Sequence, residues 1–306
     1  MVVYQNGLFH SGYAQAHVKH DYGALKLRIR CRKPLKIRAG QHINLWIPTV
    51  NFWSFLQTHP FVVISWSEKP QDHLDLFIEP RRGLTRELLN HAKCGHEMYS
   101  PVLFGGPHGR SVDIDGYEQI LIIASGFGIA AHLPYLKQII HGHNTRQLCT
   151  RRVHLVWQVQ DIDVAIAAEP LLNSALDDDT PDDGWILAIS IYFELDNVPS
   201  IRFGQRASVH PGKAPLQDIF YAEMAAFKQV DRNTQSIVGG KELESGSAIK
   251  TDSKMLITGK STPMSLAMLL IFAVSAANSV RDELRDVVRH HLADRIRFFE
   301  LEYQPS

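Results

Sequence analysis

Between Tyr117 and His143 the chain changes its period once, and that change limits the folds open to it. Ile120 to Ala124 is an unbroken apolar run, as expected of a strand buried on both faces of a parallel sheet. The run ends in Ser125-Gly126-Phe127-Gly128-Ile129-Ala130-Ala131. After it, Ile129, Leu133, Leu136 and Ile140 recur at helical spacing. Strand, glycine turn and helix thus come in the order of a G-x-G-x-x-A element. There the backbone can approach a pyrophosphate, and the first N–H groups of the helix favour negative charge. The same pattern also serves as a plain strand-to-helix turn with no ligand, so the rest of the chain must decide.

A chain of 306 residues is long enough for two domains, each with its own core. Its 32 basic and 32 acidic side chains cancel, which gives no electrostatic footing for a nucleic-acid partner. Cys31, Cys94 and Cys149 form no C-x-x-C pair, which argues against a disulfide framework, an Fe–S site or a thiolate zinc site. No metal site is expected, and the cysteine usage suits a reducing compartment. Met1 to Gly12 has neither a basic leader nor an apolar core of signal-peptide length, so secretion is not expected. Ser261 to Val280 approaches the length of a membrane span. Seven residues interrupt it (Ser261, Thr262, Pro263, Ser265, Ser275, Asn278 and Ser279), and the dense part, Leu266 to Val274, suits a buried strand.

In chain order, the first third reads as β. Leu25 to Cys31 alternates apolar and polar, as a half-buried antiparallel strand does, and Ala39 to Pro48 reads as a turn followed by a second such strand. Further strands are expected at Phe61 to Trp66, at Leu74 to Ile78 and near Val102, with a short helix over Arg86 to Ala92; together these suggest a small barrel. From Asp115 onward strands alternate with helices. Arg152 to Val159 and Ile186 to Phe193 follow the opening unit, Met255 to Thr258 competes with Leu269 to Val274 for a fourth strand, and Ile296 to Phe299 comes after a helix over Ser279 to His291. The fold class is therefore β followed by α/β: an N-terminal antiparallel β-barrel, then a doubly wound parallel-sheet nucleotide-binding domain. The expected division is an extension over 1–13, the barrel over 14–112 and the α/β domain over 113–306. Leu176 to Gly184, rich in aspartate, reads as a solvated loop, since its spacing does not match a calcium loop. Residues 228–254, polar and with little periodicity, read as a long mobile excursion.

Several segments come in a telling order: His59-Pro60-Phe61, Glu79-Pro80-Arg81-Arg82-Gly83-Leu84-Thr85-Arg86, Gly105-Gly106-Pro107-His108-Gly109, Ser125 to Ile129, Leu155-Val156-Trp157 and a closing Phe298 to Tyr303. This series resembles the cytosolic half of fungal ferric reductases, which belong with the NADPH oxidases and, more distantly, the ferredoxin-NADP reductases. The resemblance implies a barrel that binds FAD and a following domain that binds NADPH. It places His59, Pro60, Phe61 and Val62 against the isoalloxazine ring, with Val62 standing where the family has a threonine or serine hydroxyl. It puts the FAD pyrophosphate at the turn of Arg82, Gly83, Thr85 and Arg86. Gly106, Pro107 and Gly109 then close the barrel beneath the flavin, with His108 in place of a tyrosine.

By the same resemblance Ser125, Gly126, Gly128 and Ile129 hold the nicotinamide nucleotide, and Tyr303 is the aromatic that covers the flavin. No side-chain acid or base is required. The second strand ends in Gln158-Val159-Gln160 with no carboxylate at its tip, which leans towards a 2′-phosphate and NADPH.

The resemblance also implies a haem-containing membrane partner, which nothing in these residues supplies, and an iron chelate or a quinone as acceptor. The expected location is the cytosolic side of a membrane beside such a partner, and otherwise the cytoplasm. Relatives pass almost directly from a strand like Lys254 to Thr258 into a segment like Val274 to Asp282. Residues 259–273 therefore read as an insert, with the Gly-Lys-Ser and Phe-Ala ends expected of a retained intron translated in frame. A P-loop reading of Gly259-Lys260-Ser261 fails, because Lys254 stands where the first glycine is needed. Three functions remain open: the reductase module of a ferric-chelate reductase, a soluble diaphorase-like flavin reductase, and a non-catalytic remnant or binding module.

Overall fold

Alternation along the first hundred residues becomes a curled antiparallel sheet. The computed structural model describes residues 13–48, 59–93, 98–180, 184–194, 203–239, 269–274, 278–289 and 296–301. Its first six strands are β1 (Ala14–Asp21), β2 (Ala24–Leu35), β3 (His42–Trp46), β4 (His59–Val62), β5 (Gln71–Ile78) and β6 (Met98–His108), ordered β4-β3-β6-β1-β2-β5. On β2, Leu25, Leu27 and Ile29 are buried while Arg28 points outward to Asp75 on β5, at 2.7 Å. Each such buried aliphatic side chain stabilises the sheet by about 1.5–3 kcal/mol. Just beyond the end of β4 the Ile64 N–H donates to the Asp75 carbonyl of β5 at 2.9 Å, which draws the two edges of the curled sheet together. Helix α1 (Leu84–Lys93) plugs one end, with Leu84, Leu88 and Ala92 in the barrel core at a spacing of four.

The second half is a parallel sheet of six strands. These are β7 (Gln119–Ser125), β8 (Arg152–Val159), β9 (Leu187–Phe193), β10 (Ala207–Pro211), β11 (Leu269–Val274) and β12 (Ile296–Glu300), ordered β10-β9-β8-β7-β11-β12. Every residue of β7 is buried. Ile120, Ile122 and Ala124 face a core shared with α2 (Ile129–Asn144) and α3 (Ile162–Asp178). Leu121 and Ile123 face α4 (Leu216–Gly239) and α5 (Asn278–Arg289) on the other side. The core with α2 and α3 also takes in Ala24, Ala39, Ile64 and Phe77 from the barrel, so the two halves share packed surface. At the seam, Gly40 has φ +81, and a Cβ there would fall 2.4 Å from the Tyr135 hydroxyl of α2. That hydroxyl accepts the Val112 N–H at 2.9 Å, so the close approach is fixed from both sides.

Three expectations change. The described part of the acidic stretch is not a solvated loop: α3 runs through Asp178, and Asp179 is buried, pairing with Arg206 and accepting the Leu187 N–H at 3.0 Å, while 181–183 lie outside the described residues. A buried carboxylate is retained when it is this fully bonded. Residues 228–239 lie within α4, not in a mobile excursion, and 240–254 lie outside the described residues. Leu216, Ile219, Phe220 and Phe227 supply the apolar stripe that drives α4, and that stripe was readable. Leu269–Val274 takes the fourth strand position, between β7 and β12, so residues 269–273 of the expected insert form part of the sheet. Residues 255–268 lie outside the described residues. A chain lacking 259–273 keeps this sheet only if another apolar run, such as Met255 to Thr258, fills the slot.

Two buried ionisable groups set the response to acid. Burial pushes the imidazole of His132, on α2, down to about 3. Glu223 on α4 is also held low, at about 2; burial alone would raise it, but hydrogen bonds from His154 at 2.8 Å and Arg152 at 2.9 Å outweigh that. His132 must stay neutral in the fold while it charges freely in the unfolded chain near pH 6.5. Its contribution is therefore full above that pH and is lost as pH falls towards 3, amounting to about 2 kcal/mol between pH 7 and pH 5. Glu223 acts only below the ordinary carboxylate range, so it leaves this window clear. Denaturant unfolding at pH 7 and pH 5 is expected to show that loss in the native chain and a flatter profile in His132→Leu. An equal slope in both proteins would refute the assignment.

Candidate functional site

The order of the parallel sheet places its switch point at the carboxyl end of β7. One connection leaves β7 for β8, and its other neighbour is β11, reached much later in the chain. Ligands of open α/β sheets bind in the crevice that opens at such a point. Ser125 ends the strand in extended backbone (φ −131°, ψ 138°), Gly126 to Gly128 make a single 3-10 turn, and Ile129 opens α2. Gly126 has φ +50, a conformation that side chains resist, and nothing lies within 4 Å of where its Cβ would sit. Its carbonyl is tied back by the Trp157 indole N–H at 2.9 Å. The turn is therefore both rigid and open in front, as close approach of a diphosphate requires. Ile129 is fully buried, so it can offer a ligand only its backbone.

Phe127, in the middle of this turn, meets Phe77 of β5, with ring centroids 5.2 Å apart. Just past the His59–Val62 strand, the Ile64 N–H donates to the carbonyl of Asp75, two residues before Phe77 on β5, at 2.9 Å, so the chain leaving β4 runs close to β5. The glycine turn and the His59–Val62 strand thus flank one aromatic contact. Beyond Phe77 the chain passes through Ile78 to Arg82 and reaches Gly83, whose carbonyl accepts the Arg86 and Glu87 N–H groups at 3.0 and 3.1 Å. By helix geometry the Leu84 and Thr85 N–H groups at the start of α1 have no intrahelical acceptor.

On the other side, β3 lies between β4 and β6, pairing Asn44 with both Pro60 and Gly105 and His42 with both Val62 and His108. The two outer segments are therefore two strand spacings apart, about 10 Å. Gly106 and Pro107 are joined by a cis peptide bond. The Gln41 amide donates to the Gly109 carbonyl at 3.4 Å. Burial lowers the pKa of His59, and burial together with neighbouring His108 lowers that of His42, so both are neutral at pH 7.

Not every expected residue faces this crevice. Phe61 packs into the barrel core, on the side away from Pro60 and Val62. Thr85 is buried, and its hydroxyl accepts the Arg81 N–H at 2.8 Å, which caps the turn. Arg82 and Arg86 are exposed beside the α1 start. Tyr303 lies outside the described residues, three positions beyond the end of β12. Three features were not reached from the sequence: Phe77 as the hub, Trp157 as the brace of the turn, and Glu194. The tip of β8 indeed has no carboxylate, but Glu194 at the end of β9 brings one against Gln158 and Gln160. Among the described residues no group of three or more His, Cys, Asp or Glu could hold a metal ion, and no helix is long and apolar enough to cross a membrane.

Residues 14–116 match the FAD-binding domain family. NADPH oxidase 1 of Rattus norvegicus is 26% identical over 162 residues, which cover 51% of this chain and 27% of that protein. The ferric/cupric reductase transmembrane component 2 of Saccharomyces cerevisiae is 25% identical over 142 residues, 46% of this chain and 19% of that protein. The chain thus spans about a quarter or less of these curated relatives. Among solved structures, the cytochrome b5 reductase domain of Ulva prolifera nitrate reductase superimposes with TM-score 0.55 at 12% identity, covering 93% of this chain and 96% of that one. A ferredoxin NADP+ reductase from Neisseria gonorrhoeae, solved with bound FAD and NADP, gives 0.52 at 15% identity, covering 95% and 99%. These likenesses establish a ferredoxin reductase-like fold.

Proposed function

We propose that this chain, whose first third matches an FAD-binding domain and which is similar to ferric reductases and NADPH oxidases, is a flavin-dependent oxidoreductase module fed by a reduced nicotinamide dinucleotide. The carrying observation is the Phe77–Phe127 contact, which sets the β4 strand and the open glycine turn on one crevice at the switch point. With both cofactors bound, nicotinamide chemistry supplies a hydride and flavin chemistry releases its electrons one at a time.

The chain's own residues bind, place and shield. The start of α1 and the Gly83 turn receive the FAD diphosphate, with Arg82 and Arg86 at hand for charge. Pro60 and Val62, with the Gly105–His108 end of β6 and the Gly109 that follows it, form the apolar bed for the flavin ring. Phe61, turned into the core, stiffens that bed instead of stacking on the ring. Gly126 and Gly128 bring backbone N–H groups to the second diphosphate. No side chain is asked for a proton, since neutral His59 and His42 can orient polar ring atoms by hydrogen bonding. Catalysis then rests on placement of two rings at contact distance and on exclusion of water.

The electrons go to a ferric chelate, through a haem-containing membrane partner on the cytosolic face, as the similarity to ferric reductases supports. The decisive preparation is the purified full chain: it is expected to be yellow with bound FAD, to bleach without oxygen on addition of NAD(P)H, and to recover its colour with ferricyanide, a one-electron acceptor that stands in for the membrane partner. A protein that binds FAD but does not bleach with either nucleotide would leave a binding module and refute the oxidoreductase reading.

A further inference from the structure

The outer face of the barrel carries a cleft where it meets α2 and α3. Lys19 of β1, Lys26 and Arg28 of β2 and Asp75 of β5 border it on one side, and Lys137 of α2 with Leu171 of α3 on the other. Its volume is about 180 Å³, where a single water needs about 10–15 Å³. Lys137 lies eight residues beyond Ile129 on α2, and Leu171 eight beyond Asp163 on α3. At about 1.5 Å per residue both stand ~12 Å down their helices from the carboxyl edge, so the cleft is separate from the glycine turn. Its charges do not balance. The register of β1 and β2 sets Lys19 directly opposite Lys26, a like-charged pair that costs stability unless an opposite charge stands by. Lys26 is answered by Asp21. Arg28 takes both oxygens of Asp75, the one carboxylate bordering the cleft, at 2.7 and 3.2 Å. Among the described residues neither Lys19 nor Lys137 has a carboxylate partner, although Lys137 is half-buried. Two ammonium groups, one from each half of the molecule, thus border the same cleft uncompensated.

We propose that this cleft binds a phosphomonoester, free in solution or as the headgroup of an anionic lipid. At pH 7 such a group carries a charge of about −1.5 to −2, which matches Lys19 and Lys137 together. Lysine meets phosphate as a point charge, with no need of the planar fork that a carboxylate shares with arginine. A carboxylate ligand, with its single charge, would leave one of the two ammonium groups without a counter-charge. The aliphatic stems of the lysines, with Leu171, offer an apolar wall to the glycerol or acyl body behind the phosphate. Because the barrel supplies Lys19 and α2 supplies Lys137, an anion held by both also braces the barrel against the α/β domain.

Titration of the FAD-loaded full chain, with 2′,5′-ADP in excess to fill the nucleotide edge, tests this with two probes. One is glycerol 3-phosphate, followed by calorimetry; the other is phosphatidylcholine vesicles containing phosphatidic acid, followed by co-sedimentation. Saturable binding of either probe is expected, and binding in Lys19→Met and in Lys137→Met should be at least about tenfold weaker, as loss of one charged hydrogen bond implies. Glycerol 3-phosphate bound at about 100 times its Kd should raise Tm by on the order of a few °C in the native chain. Methionine keeps the length of the stem, and unchanged flavin absorbance and 2′,5′-ADP affinity report that both variants are folded. Binding of glycerol 3-phosphate assigns the free ester, and binding of the vesicles alone assigns the lipid headgroup. The proposal is overturned if neither probe binds, or if both variants bind as the native chain does. It is equally overturned if vesicles of phosphatidylcholine alone bind as well, or if acetate matches glycerol 3-phosphate, since one charge would then suffice. Binding seen only when 2′,5′-ADP is left out would place the phosphate at the nucleotide edge and remove it from this cleft.

Discussion

Gly126→Val is expected to abolish reduction of the flavin by nicotinamide nucleotide while the protein stays yellow. At φ +50 a β-branched residue is strongly disfavoured, and the turn would have to change shape to accept it. The space in front of the native glycine is empty to 4 Å, so a side chain there fills the volume through which a diphosphate approaches. A displacement of even ~1 Å at such a site costs on the order of 100-fold in rate. Gly126→Ala grades the effect, because alanine tolerates this backbone at a cost of about 1 kcal/mol and adds only one methyl. The order expected in nucleotide KM is native, alanine, valine, with bound FAD unchanged in all three. The site is misassigned if the valine variant retains native kinetics, or if it loses FAD along with the nucleotide.

That glycine turn was legible because every requirement is local: an apolar run, two glycines and a helical period lie within one stretch. The alternation of β2 and the apolar stripe of α1 were local in the same way. What escaped depends on pairs distant in sequence. Phe77 and Phe127 meet because β5 curls onto a second domain, and nothing in either neighbourhood announces the other.

Glu194 escaped for a related reason. The rule that looks for an acid at the tip of the second strand inspects β8, while the carboxylate comes from β9 and reaches across. Asp179 looked like one more solvated aspartate until Arg206, with the N–H groups of Ile186 and Leu187, surrounded it. The inward turn of Phe61 follows from strand parity. Val63 and Phe61 share the core face, which leaves Pro60 and Val62 outside, and a motif read as a block of four cannot show that.

Trp157→Ala is expected to cost the α/β domain about 3–5 kcal/mol, as truncation of a fully buried large aromatic does. On heating, that corresponds to a fall in Tm on the order of 10 °C. Trp157 fills the space beside Ala124, its partner across the β7–β8 ladder, and its indole N–H reaches the carbonyl of Gly126. Trp157→Phe keeps most of the volume but removes the donor, which leaves the Gly126 carbonyl without that bond at a cost of about 1–2 kcal/mol. The two variants therefore separate packing from bracing.

If the brace matters to the site, the phenylalanine variant should raise nucleotide KM several-fold while Tm falls only slightly, because the turn loses its fixed shape but the core remains filled. If Trp157 serves packing alone, KM in that variant stays native and only the alanine variant suffers. The sheet and the glycine turn are coupled through one indole, so the second outcome would detach the geometry of that turn from the strand that supports it.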